Sequence, residues 1–283
     1  INVNAGMAMY SMEIDRASFS NNLPTNSYKL AARGIKFSGE KYENREYAYN
    51  PFKPFPVHFY KIEPTLRSQI GGPDGFFFGD LRLTFDSEAI FDSNFSLSTS
   101  ASIGITDNLE KLKLASDSIL PHVRTDIVKY LKNSRDYNID RFQFNYFINP
   151  SPNIYGKISL GLLETMFAGV GSEFLYRPFS KNYGIGAEIW SVQQRDYDLL
   201  FNLRDYKTTT GHINFYYIEP RSKVLFAVRG GKFLAKDSGF SFDFSRRFKS
   251  GFQLGVFFSL TDISKREFGE GSFDKGFYFQ IPT

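Results

Sequence analysis

The chain of 283 residues contains no cysteine. This excludes disulfides, thiolate metal sites and a cysteine nucleophile. Histidine is almost as scarce: His58, His122 and His212 stand far apart and in no metal-ligand spacing. No run approaches the ~18 consecutive apolar residues of a transmembrane helix. No G-x-S-x-G elbow or strand-to-helix phosphate loop occurs, so the common signatures of serine hydrolases and nucleotide binders are missing. The first residues, INVNAGMAMY, show no basic and apolar leader. The expectation is a removed signal or a piece of a longer protein. The net charge of +4 is a mild bias, and no nucleic-acid partner is expected from it.

What the chain has is aromatic residues. There are 32 Phe and 17 Tyr against one Trp, so aromatics reach 18% while overall hydrophobicity is only 42%. They are distributed with period two. In SGFSFDFSRRFKSGFQLGVFFSLTD (238–262), Phe240, Phe242 and Phe244 share one parity and Ser241, Asp243 and Ser245 the other. After a break at 249–251, Phe252, Leu254, Val256, Phe258 and Leu260 repeat the pattern. Successive side chains of a strand point to opposite faces, so the segment predicts a hairpin with one greasy and one polar side. Similar alternation runs through 77–85, 95–105, 141–146, 157–162, 173–177, 212–217, 224–229 and 277–281, and more weakly near 2–12, 27–37, 55–67 and 182–192.

Together these predict about fourteen strands, most of ~9–11 residues, the length that crosses a bilayer when tilted. Breaks at 88–94, 149–153, 178–182, 218–222 and 248–251 are short. Those at 106–137, 163–170, 193–207, 232–238 and 262–275 are expected to be mostly longer and more charged. Short turns on one side and long loops on the other match an outer-membrane barrel with both termini in the periplasm. Tyr137, Tyr146, Phe147, Phe179, Tyr183, Tyr216 and Tyr217 crowd strand ends, as interfacial aromatic girdles do. One segment departs from the pattern. LPHVRTDIVKYLKNSR (120–135) places Val123, Ile127, Val128 and Leu131 at helical spacing, predicting a short helix over about 121–133 in or over the lumen.

The expected fold is thus all-β, a transmembrane antiparallel β-barrel forming a single domain over 1–283. The same alternation also fits a soluble sandwich, whose polar face would meet bulk water. In a barrel that face lines the lumen. Its charges, including Arg82, Arg141, Arg177, Arg229 and Arg247, would then pair with acidic neighbours and bias the interior toward anions.

From Leu120 onward the chain resembles a known family. The segments LLETMFAGVGSEFLYRPF (162–179), VQQRDYDLLFNLRDYKTTTGH (192–212) and FGEGSFDKGFYFQIP (268–282), with PTLRSQIGGPDGFFF (64–78), are similar to the YjbH/GfcD-like exopolysaccharide and group 4 capsule proteins. The resemblance covers roughly 60–283. It implies a bacterial outer-membrane β-barrel, a portion of a longer protein that is often a lipoprotein, encoded with polysaccharide export functions. The expected partners are outer-membrane lipid, an anionic or neutral polysaccharide and other export proteins. No cofactor and no catalytic residue follow from it, and the expected function is non-enzymatic. This chain carries no cysteine that could be lipidated.

Candidate ligand-binding residues come from the family-like loops and the lumenal parity. Arg195, Asp196, Arg204, Asp205 and Tyr206 could hydrogen-bond and stack on sugars, or pair among themselves to fold a loop inward. Gly169, Gly171, Gly269 and Gly271 are expected to be hinges in tight loops. His122 and Arg124 could meet polymer from the helix, or dock it to the wall. His212 faces the polar side and raises the alternative of a membrane hydrolase with a Ser–His pair, for which no nucleophile motif is present. A plugged barrel that only recruits partners is the remaining alternative.

Overall fold

The computed structural model describes residues 2–4, 7–22, 35–38, 55–72, 75–92, 94–113, 126–179, 181–268 and 273–281. Fifteen strands dominate it, in two antiparallel sheets. The small sheet joins β1 (Asn2–Asn4), β2 (Met7–Ile14) and β3 (Ile35–Ser38). The large one is a twelve-stranded meander in which every strand pairs with its sequence neighbours. Its strands are β4 (Val57–Gly72), β5 (Gly75–Ile90), β6 (Phe95–Asp107), β7 (Tyr137–Ser151), β8 (Ile154–Leu162) and β9 (Phe167–Tyr176). They continue with β10 (Tyr183–Arg195), β11 (Leu203–Ile218), β12 (Val224–Lys232), β13 (Ser238–Arg247), β14 (Gln253–Thr261) and β15 (Lys275–Gln280). The large sheet has twelve strands rather than about fourteen because the two N-terminal runs fold into the separate small sheet. Among the described residues β4 and β15 end the meander and show no backbone pairing with each other.

The sheet is inside out relative to a soluble protein. In β11, Ile213 is 68% exposed while its neighbours His212 and Asn214 are 9% and 6% exposed. In β6, Ile103 is exposed and Ser102 buried. In β5, Leu81 and Leu83 are exposed and Asp80 and Arg82 buried. Ordinary folding buries apolar area, at roughly 25 cal/mol per Å², and leaves exposed apolar patches of only a few hundred Å². Here exposed Ile, Leu, Val, Phe and Tyr run along the outer face from β4 to β15, and among the described residues no second layer covers them. The sheet curls around its polar face, since Gln143 of β7 and Ser259 of β14 line one cavity. The polar side is therefore concave and the greasy side convex.

The two rims differ less than the sequence suggested. One carries the connections 91–94, 152–153, 177–182, 219–223 and 248–252, with the start of β4 and the end of β15. The opposite rim carries the long connections 108–136, 196–202 and 262–274. It also carries 163–166 and 233–237, which are as short as the turns. Strand pairing extends into segments expected to be loops: β9 begins at Phe167 and β10 runs to Arg195. Gly169 and Gly171 accordingly lie inside β9 rather than at hinges, and Gly269 and Gly271 lie outside the described residues. The girdle residues divide as well. Tyr146, Tyr183 and Tyr217 are exposed on the convex side near the turn rim, joined there by Tyr176, and Tyr137 is exposed near the loop rim. Tyr216 and Phe147 instead line a cavity.

Candidate functional site

The concave face holds two regions of different character. On the β5–β7 side of the loop rim it is filled. The predicted helix is present as Ile127–Asn133. Residues 114–125 lie outside the described residues, so no placement follows for His122 and Arg124. Val128 and Leu131 pack on a small apolar cluster of Phe78, Leu109 and Leu112. Tyr130 is buried and reaches toward β10, where its hydroxyl donates to the Arg195 carbonyl at 2.6 Å. Removal from water pushes its phenol up to about 12. Asp126, ahead of the helix, accepts from Gln194 at 3.1 Å and from Lys129 at 2.9 Å. The helix thus bridges β5 and β10 across the concave face.

Two candidate arginines belong to this filled region. Arg195 is completely buried, yet among the described residues its guanidinium meets no carboxylate. Nη1 donates to the carbonyls of Glu164 (2.9 Å), Thr165 (3.3 Å) and Asp140 (3.4 Å), and Nη2 to those of Leu199 (2.7 Å), Ile139 (2.7 Å) and Leu200 (3.1 Å). It ties β7, the 163–166 turn and the 196–202 loop into one unit. Leu199, fully buried with φ 54°, folds that loop inward. Arg82 donates to Asp80 (2.7 Å), Ser102 (2.9 Å), Asn138 (2.6 Å) and the Arg135 carbonyl (2.9 Å). Asp80 also accepts from Arg67 at 2.6 Å. Both candidates are structural ties.

Between β7 and β14 the interior opens into a cavity of about 710 Å³. Glu188 of β10 and His212 of β11 are register partners, so both point inward. His212 Nδ1 lies 3.0 Å from Glu188 Oε1, and Arg229 Nε of β12 lies 3.6 Å from the same oxygen. Arg229 Nε also donates to Asn214 at 3.1 Å. Trp190 Nε1 approaches Glu188 Oε2 at 3.4 Å, and the Phe233 ring centroid is 4.7 Å from that of His212. His212 Nε2 is buried without a hydrogen-bond partner among the described residues. A second cavity, of about 540 Å³, lies toward the turn rim and shares Lys157, Glu173 and Glu188 with the first. Lys157 and Glu173 pair at 3.1 Å, so a charged waist divides the interior. The larger cavity is lined by Glu164, Glu173, Glu188, Asp237 and Asp274 against Lys157 and Arg229. Its charge is acidic on balance, not the cationic excess expected from the polar parity.

The remaining candidates scatter. At the loop rim Arg204 pairs with Asp196 at 3.0 Å and stacks over Tyr197, 4.2 Å from the ring. Tyr206 donates to the Leu234 carbonyl at 2.7 Å and lies under Lys236. Asp205 is exposed, on the opposite parity of β11 from Arg204 and Tyr206. Arg141 is exposed on the concave parity of β7. Arg177 lines the second cavity, and Arg247 is exposed at the turn-rim end of β13. Of the candidates, His212 and Arg229 meet in one cluster. Sequence reasoning passed over Glu188 and Trp190 as site residues. The signal for both was their shared parity in 188–192, one strand away from His212.

Comparison with known proteins identifies the relationship. The model of the YjbH family, described as exopolysaccharide biosynthesis protein YbjH, matches residues 1–283. The chain belongs to the YjbH family. It is 33% identical over 230 residues to "Uncharacterized lipoprotein YjbH" of Escherichia coli (strain K12), covering 79% of this chain and 33% of that protein. The chain thus spans about a third of the length of the curated relative it matches. The family's description names exopolysaccharide biosynthesis, and the relative's name describes it as a lipoprotein.

Proposed function

We propose that the chain forms an outer-membrane β-barrel unit that assists export or assembly of an extracellular polysaccharide, without catalysing a reaction. The observation that carries this reading is the inverted burial of the large sheet, with a convex apolar surface and a polar interior. Hydrocarbon accepts such a surface, and a bilayer tolerates strands only where their backbone groups are paired. Pairing of β4 with β15, directly or through another strand, completes the cylinder. Tyr146, Tyr176, Tyr183 and Tyr217 mark one interface of the bilayer. With the turn rim periplasmic, both ends of the large sheet lie in the periplasm.

The filled loop rim and the charged waist favour an accessory that engages polymer over a wide conduit. In this reading His212, held by Glu188 at one ring nitrogen, serves binding and not catalysis. Deleting the gene in its own host tests the reading. Surface polymer is expected to fall while lipid-linked precursor persists. Unchanged surface polymer overturns the export role, and a purified protein that stays in solution without detergent and fails to float with liposomes overturns the barrel.

A further inference from the structure

We infer that the cavity around Trp190, Glu188, His212, Arg229 and Phe233 is a binding subsite for a neutral saccharide. This rests on the export reading and adds the place and the chemical class of what is bound.

The first support is the setting of Trp190. It faces Gly171 of β9 across the sheet, and a Cβ on Gly171 would stand 2.2 Å from the indole ring. The glycine leaves a flat bed, so the ring lies against the backbone and turns its other face to the cavity. An aromatic face held in this way accepts the C–H face of a pyranose ring. The second glycine of the family-like GVG is thereby explained as clearance for the indole, since it lies within β9 and not in a turn.

The second support is an unmatched polar atom. His212 is more than nine-tenths buried, and its Nε2 has no partner among the described residues. The Glu188 carboxylate can only accept, so Nδ1 donates to it and Nε2 is the ring nitrogen left to bond a ligand. A buried polar nitrogen left bare is costly, and a sugar hydroxyl, which both donates and accepts, supplies the missing partner. Arg229 lies beside it, half-exposed, with its Nε engaged. Its outer N–H groups suit a hydroxyl or ring oxygen.

The third support sets the charge class. The cavity lining is acidic on balance, which disfavours a uronate or phosphate-bearing chain. The mixture of aromatic face, bare imidazole nitrogen, carboxylate and guanidinium suits hydroxyl-rich neutral rings.

Trp190 is the only tryptophan, so its fluorescence reports on this site alone. The detergent-solubilised chain would be titrated with neutral hexasaccharides of glucose, galactose and mannose, and separately with hexagalacturonate and a lysophospholipid. Calorimetry would accompany the fluorescence. At least one neutral sugar is expected to give a saturable change. His212→Phe and Arg229→Ala should each weaken it about tenfold while the protein still unfolds in a cooperative thermal transition. Gly171→Val, which displaces the indole, should abolish it. Absence of a saturable change with all three neutral sugars overturns the inference. So does tighter binding of hexagalacturonate, or a response to the lysophospholipid alone. A chain that floats with liposomes yet ignores every sugar loses this site while keeping the barrel.

Discussion

Arg195 at the filled loop rim and Arg229 beside the open cavity face opposite situations. Arg195 is sealed from solvent and its two terminal nitrogens are fully used by six backbone carbonyls. Arg229 is half-exposed and shares one nitrogen with Asn214 and Glu188. Both were candidate cations, Arg195 from a family-like loop and Arg229 from the polar parity of a strand, and sequence alone ranked them equally. The difference is how many donors remain for something else. A guanidinium has five N–H groups; where the protein already holds most of them the residue is a tie, and where it does not the residue can meet a ligand. The filled region is therefore read as stability and the open one as recognition.

Substitutions can break this contrast. Arg195→Met should have the largest effect. Leaving several buried carbonyls unpaired, at ~1–3 kcal/mol each before relaxation, should prevent recovery of the folded form or strongly lower its urea midpoint in micelles. Arg195→Lys should not rescue it, because an ammonium cannot span the same fork of acceptors. If Arg195→Met unfolds like the parent, the tie assignment is wrong.

Next comes the convex face. Ile213→Arg should destabilise the inserted protein by about 2–4 kcal/mol if the site lies near the bilayer midplane, read as reduced membrane-inserted yield. In a soluble sheet the same change at an exposed position would be within about 0.5 kcal/mol. A neutral outcome would move the apolar face out of the membrane.

Tyr130→Phe is a smaller change, the loss of one hydrogen bond to the Arg195 carbonyl, ~0.5–1.5 kcal/mol. It also has a pH signature. The folded phenol is raised to about 12, above the ordinary value of about 10, so the folded state holds this proton more tightly. Helix docking should be at full strength below pH ~10 and be lost as the pH climbs through about 12. The tyrosinate absorbance difference between parent and Tyr130→Phe would record that step. The smallest expected effect belongs to Arg229→Ala. Its half-exposed ion pair should contribute no more than ~1 kcal/mol to stability, even as saccharide binding weakens. A stability loss matching that of Arg195 would erase the distinction between the two regions.

Period-two alternation carried most of the fold. It marks Phe240, Phe242 and Phe244 as one face because strand side chains alternate whatever lies on either side, and the short turns at 152–153 and 248–252 follow from local residues. The helix at 127–133 was legible from Val128 and Leu131, whose spacing is local too. Loop lengths were less legible. The pairing of β10 with β11 extends to Arg195 and Leu203, and hydrogen bonding to a neighbour is invisible in a strand's own pattern.

The residues themselves settle which side chains share a face, that a thiol chemistry is impossible, and which family the chain resembles. Only the folded chain decides that the polar face is the concave one. Register brings Glu188 beside His212, and curvature brings β14 to β7. Curvature also encloses an indole, a bare imidazole nitrogen and a half-free guanidinium in one cavity while consuming Arg82 and Arg195 elsewhere. The physical reason is range. Alternation is set by the geometry of one strand, whereas partners for a buried donor come from strands far apart in sequence, and their positions exist only once the sheet has curled.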